Sequence, residues 1–113
     1  MPRLKTEMLV SAALRLADRQ AISAAIMHRG DPDAGALFLE IEKGMHQAKL
    51  LCRVTAFDGG YEWLCIGEDG WQLPIDVQEL VARERTRDPD CWVVSVQDAQ
   101  GRNIFALLDD EMS

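Results

Sequence analysis

Residues 36–66 read ALFLEIEKGMHQAKLLCRVTAFDGGYEWLCI, and the placement of the reversals in this stretch decides the fold. Segments 36–42, 46–57 and 61–67 carry the apolar alternation of strands, while Lys43-Gly44 and Asp58-Gly59 between them are turn chemistry. Asp58-Gly59 suits a two-residue type I′ turn, whose central residues both need positive φ. With that pair at the tip, Phe57 faces Gly60, Val54 faces Trp63 and Cys52 faces Cys65. With Gly44-Met45 at the tip of the preceding hairpin, Leu39 faces Leu50, Ile41 faces Ala48 and Leu37 lies beside Cys52. Side chains alternate between the faces of a sheet. These registers therefore place Leu37, Leu39, Ile41, Ala48, Leu50, Cys52, Val54, Tyr61, Trp63 and Cys65 on one inward side.

Toward the N-terminus, residues 21–29 form a further strand ended by Gly30-Asp31-Pro32-Asp33. Before it, Leu9, Val10, Ala13, Leu14 and Ala17 recur on one helical face, with Thr6 as cap, which predicts a helix over 7–19. Toward the C-terminus, Asp76 as cap with Glu79 reaching back, and Ile75 packed on Leu80, predict a helix over 77–87. Asp88-Pro89-Asp90 stops it, because the residue before a proline is pushed out of the α region. Trp92, Val94 and Val96 then alternate as a strand, Asp98-Ala99-Gln100-Gly101 turns the chain, and 103–107 is the last strand. The expected architecture is α+β in the order α-β-β-β-β-α-β-β: an antiparallel sheet of five to six strands with two helices packed mainly on one face. Residues 1–108 make a single domain, and 109–113 a frayed acidic tail.

At 113 residues the chain is long enough for one hydrophobic core without disulfides or a structural metal. Nineteen acidic against twelve basic residues leave a net charge of -7, which opposes nucleic acid and anionic lipid as partners. The longest mainly apolar stretch, residues 8–17, is interrupted by Ser11 and Arg15 and falls well short of the roughly 20 residues that span a bilayer. Cys52, Cys65 and Cys91 form neither a CxxC pair nor a zinc spacing, so reduced thiols and a cytoplasmic location are expected. No cofactor fingerprint is present. His28 and His46 stand far from each other and from any cysteine in sequence, and no nucleophile motif appears, so no catalytic residue is assigned and a non-enzymatic protein is expected.

Two features suggest function. In the registers above, Phe38, Leu51 and Ile66 form an outward row with Leu64 beside it, an apolar strip that either meets a second copy or a protein partner, or lies beneath the second helix or the final hairpin. Arg29-Gly30-Asp31-Pro32-Asp33 and Arg87-Asp88-Pro89-Asp90 repeat one theme. If the turns meet, Asp31, Asp33, Asp88 and Asp90 offer oxygens to a divalent cation, or Arg29 and Arg87 grip a small anion. The plainer reading is that each aspartate bonds its own turn.

Arg29-Gly30-Asp31 followed by Ala34-Gly35, together with Asp88-Pro89-Asp90-Cys91-Trp92-Val93-Val94, resembles the domain of unknown function 1491 family of small bacterial proteins. Arg3-Leu4-Lys5 and the 98–102 turn fit the same pattern over nearly the whole chain. The resemblance implies a single domain and carries no activity, cofactor or catalytic residue with it.

Overall fold

The computed structural model describes residues 4–112. Its elements are α1 (Thr6–Arg19), β1 (Ser23–His28), β2 (Leu37–Gly44), β3 (Gln47–Thr55), β4 (Tyr61–Cys65), α2 (Pro74–Arg87), β5 (Trp92–Gln97) and α3 (Ile104–Met112). The strands form one sheet in the order β1-β5-β2-β3-β4. The α+β class is as expected, but the sheet is mixed: β5 runs parallel to β2 and antiparallel to β1. The cause is α2, which carries the chain from edge strand β4 back across the sheet, and a helical crossover delivers the next strand parallel to the last. β5 reads WVVSVQ with Trp92, Val93, Val94 and Val96 all buried, as befits a strand inside the sheet, while Ser95 and Gln97 on one face stay accessible.

The predicted last strand over 103–107 is instead the start of a third helix. The run Ile104-Phe105-Ala106-Leu107-Leu108 fits either period, and Asn103 decides between them. Its side-chain oxygen accepts the N–H groups of Phe105 at 2.9 Å and Ala106 at 3.2 Å, an N-cap that a strand could not use. Asp109, Asp110 and Glu111 continue α3 rather than fraying beyond a strand, and Glu111 pairs with Arg19 at 2.7 Å. At the start of α2, Pro74 rather than Asp76 sets the boundary, since proline has no N–H to leave unpaired in a first turn. Thr6 lies within α1, its hydroxyl donating to the Gly35 carbonyl at 3.4 Å instead of capping.

Both hairpin registers differ from expectation by one residue. At the second, the N–H of Ala56 donates to the Gly60 carbonyl at 2.7 Å, and Thr55 pairs with Tyr61, so the reversal takes five residues rather than two. At the first, Gly44 pairs with Gln47, and an irregularity between Glu42 and Gly44 then shifts the ladder, as a β-bulge does. Leu39 consequently pairs with Leu51, Phe38 with Cys52, and Cys52 with Leu64.

A one-residue slip exchanges the faces of β3 relative to β2. On one side, α1 and α3 pack over Leu37, Leu39, Ile41, Trp92, Val94 and Val96, with Leu51 and Trp63 against them. On the other, Val77 and Val81 of α2 pack over Phe38, Ala48, Leu50, Cys91 and Val93. The helices thus divide between the two faces instead of sharing one. Phe38, at 5% exposure, is sealed beneath α2; Leu51 points to the opposite face; Ile66 packs beside Leu80; Leu64 stays half-exposed. The four do not form one outward strip. No helix among the described residues is long and apolar enough to cross a membrane.

Candidate functional site

The two Asp-Pro-Asp turns meet. The Asp31 N–H donates to the Asp90 carbonyl at 2.9 Å, and the Trp92 indole N–H donates to the Asp31 carbonyl at 2.7 Å. His28 Nδ1 lies 2.7 Å from the Cys91 carbonyl, which only accepts, so Nδ1 carries the proton. The carboxylates turn back on their own backbone: Asp31 accepts from Asp33 at 2.8 Å and Ala34 at 3.1 Å, and Asp88 from Asp90 at 3.1 Å. Arg29 stacks over Trp92 at 5.3 Å and pairs with Glu7 at 3.8 Å, Arg87 pairs with Glu84 at 3.5 Å, and Asp33 with Lys5 at 3.4 Å. The turns form a clasp between distant chain segments. Among the described residues, no three His, Cys, Asp or Glu side chains are grouped to hold a metal ion.

A second region emerges only in the fold. α2 shields β2 and β3, leaving open the same face over β1 and β5. Two rows cross it, Ala25-Ser95-Glu40 and Ser23-Gln97-Glu42. A cleft of about 270 Å³ lies here, bounded by Gln78 of α2. It shares Glu42 and Gln97 with a larger cavity of about 540 Å³ at Met45, Pro74 and Asp98. Toward the other end of α2 a cavity of about 320 Å³ is walled by His28, Arg85 and Pro89. Together they line one flank of the helix.

Glu40, at 4% exposure, is the buried charge of this face. Ser95 Oγ donates to it at 3.0 Å and Gln78 Nε2 donates to its other oxygen. Burial pushes its pKa above the ordinary 4.5, the Ser95 bond opposes this, the Glu42 charge adds to it, and the Gln78 bond opposes it. The expected registers put Glu40 on the outward face, in a charged rim with Lys49 and Glu68, although its position within Leu37-Phe38-Leu39-Glu40-Ile41 already marks it as a carboxylate in an apolar strand. The folded state holds the Glu40 proton more tightly than the unfolded state. Its contribution to stability is therefore full below pH 4.5 and is lost as pH rises through the raised folded value. Glu40→Gln is expected to flatten that loss, checked by urea midpoints from acid to neutral pH; an unchanged slope contradicts the buried-carboxylate account. Asp98 has the opposite sign. A bidentate bond from Arg102, at 2.9 and 3.1 Å, holds its pKa at about 2 against an ordinary 3.8. The stability it supplies is present above 3.8 and lost as pH falls toward about 2.

Cys52 and Cys65 do not face each other. Cys52 pairs with Leu64, and Cys65 with Leu51, so the two thiols lie on opposite faces of adjacent strands. All three cysteines are free, and burial raises the thiol pKa of Cys52 and Cys91, which keeps them protonated and poorly nucleophilic.

Fold and site together define a small α+β protein with a mixed five-stranded sheet, helices on both faces and one half-face left open beside α2. The chain belongs to the family described as protein of unknown function (DUF1491), whose model matches residues 4–106. It is similar to the crystal structure of a DUF1491 family protein from Caulobacter crescentus CB15, at 29% identity and a TM-score of 0.80, over 91% of this chain and 94% of that one. An NMR structure of a DUF1491 family protein from the same organism gives 28% identity and a TM-score of 0.79, over 92% and 94% of the two chains. The solution structure of protein Atu0922 from A. tumefaciens is 25% identical, with a TM-score of 0.69, over 85% and 86%. No curated protein matches the chain.

Proposed function

We propose that the protein is a non-enzymatic interaction module that pairs with a second copy of itself through the open half of its sheet, at edge strand β1. The observation behind this is the half-face that α2 leaves bare: Ser23, Ala25 and Met27 point outward, Met27 at 58% exposure, and nothing lies beyond β1 in the sheet order. An edge strand presents a row of unpaired N–H and C=O groups, and charge or proline at the edge is the usual protection. β1 reads SAAIMH and has neither, whereas β4, the other edge, carries Glu62. An antiparallel pair of identical strands is symmetric about a two-fold axis, so β1 complements β1 of another copy. This surface replaces the strip of Phe38, Leu51, Leu64 and Ile66, because α2 occupies the place a partner would need over Phe38. Three free thiols, two of them held protonated, suit a reducing cytoplasm.

Sedimentation velocity at high micromolar concentration is expected to show a dimer for the wild type. Ala25→Lys, which sets like charges near the two-fold, is expected to give a monomer with an unchanged far-UV spectrum. A monomeric wild type ends this reading. A second reading, a small-molecule or cation site using Arg29, Asp31, Asp33, Arg87, Asp88 and Asp90, is favoured by the contact of the two turns. It is weakened by the use of the Asp31 and Asp88 side-chain oxygens as acceptors within those same turns.

A further inference from the structure

The segment between β4 and α2 holds Trp71 against the β5–α3 turn. Gly101, with φ of +65°, sits so close that a Cβ there would lie 2.8 Å from two ring carbons of Trp71. Two ammonium groups converge on this ring, Lys43 Nζ at 5.3 Å and Lys49 Nζ at 4.2 Å from its centre. A ring quadrupole attracts a cation weakly where water reaches it, and two like charges on one ring repel. Carboxylates are not scarce in this chain, which has 19 of them against 12 basic side chains. Yet neither lysine forms an ion pair among the described residues. The Trp71 indole N–H has no hydrogen-bond partner among them either, whereas that of Trp92 donates to a carbonyl. Close by, Arg102 is neutralised by Asp98, and the first turn of α3, the positive end of its dipole, holds no acidic residue. The opposing charges are Glu68 and Asp69 in the same segment, Asp76 beside Trp71, and Glu42 and the Arg102-paired Asp98 beside Lys43.

One ring thus gathers two ammonium groups against it and carries a third donor at its own edge, and no acceptor among the described residues is bonded to any of the three. We propose that Lys43, Lys49 and Trp71 form a binding site for a phosphate-class oxyanion, the two ammonium groups balancing a dianion while the indole N–H donates to a further oxygen. A carboxylate supplies one charge and two oxygens, and leaves one lysine unanswered. Its lysines stand on β2 and β3, separated from edge strand β1 by β5 in the sheet order, and the proposal does not rest on self-association.

The test follows the indole N–H resonance of Trp71, assigned with Trp71→Phe, in isotope-labelled full-length protein. Inorganic phosphate is added at constant ionic strength, and acetate is added in a parallel series. The expected result is a saturable displacement by phosphate at millimolar concentration, weakened about tenfold by Lys43→Gln and by Lys49→Gln, with far-UV spectra unchanged. Absence of a saturable displacement overturns the proposal, as does wild-type affinity in the double variant. Acetate binding as tightly as phosphate also overturns it.

Discussion

Trp92→Ala is expected to destabilise the protein by about 3–5 kcal/mol, out of a total of about 5–15 kcal/mol for a domain of this kind. Trp92 is fully buried at the first residue of β5, between β1 and β2 in the sheet, among the side chains beneath α1 and α3. It also joins the two halves of the clasp: its indole N–H donates to the Asp31 carbonyl at 2.7 Å, and the Arg29 guanidinium stacks over its ring at 5.3 Å. Truncation leaves a cavity and removes the shorter of the two bonds to the Asp31 carbonyl, which keeps only the Gly35 N–H at 3.3 Å. Trp92→Phe keeps most of the buried area but loses the donor, and is expected to cost about 1–3 kcal/mol. Urea midpoints at constant m-value measure both. A loss below about 1 kcal/mol for the alanine variant would show that the core closes without this residue.

The second large effect needs only a methyl group. In Gly30→Ala, the new Cβ would lie 2.1 Å from the Asp90 carbonyl oxygen and 2.6 Å from the carbonyl carbon and oxygen of Cys91. All three are backbone atoms, so no rotamer change relieves the overlap, and the turns must separate. Separation strains the Asp31-to-Asp90 bond at 2.9 Å and the His28-to-Cys91 bond at 2.7 Å. The expected loss is about 3 kcal/mol or more, a fall in Tm of at least about 10 °C for a chain of this length. Gly44→Ala, at a position where a Cβ meets nothing within 4 Å, is the control and is expected to stay within about 0.5 kcal/mol of wild type. Equal melting of the two variants would remove the close-approach argument.

These experiments separate two meanings of the same residues. In sequence, the repeated Asp-Pro-Asp theme offered oxygens to a cation if the turns met, with aspartates closing their own turns as the plainer reading; in the fold, the turns do touch, but chiefly through backbone groups, and the Asp31 and Asp88 carboxylates close their own turns. Sequence spacing gives the composition of the turns but not which of their groups face inward. The open half-face beside α2 was not legible at all, because it exists only where a helix stops covering a sheet. Glu40 was half legible: its apolar neighbours signalled burial and its face was the one assigned, but that α2 covers this face was not in the sequence pattern. The Trp71 cluster joins residues 43, 49, 71 and 101, which no local pattern connects.

Determined by the chain alone are the α+β class, α1 and most of α2, the three-strand meander of β2, β3 and β4, and the family. The structural elements rest on periodicity or turn residues within a short window, where backbone sterics and side-chain alternation act locally; the family rests on the resemblance of separate motifs along the chain. Tertiary structure decided the rest: the parallel entry of β5, α3 in place of a strand, and the face on which Phe38, Leu51 and Leu64 lie. A bulge at Lys43 and a five-residue reversal at 56–60 each move the ladder by one residue. Because side chains in a strand alternate strictly, that small shift changes which of them α2 buries and which are left to meet a partner.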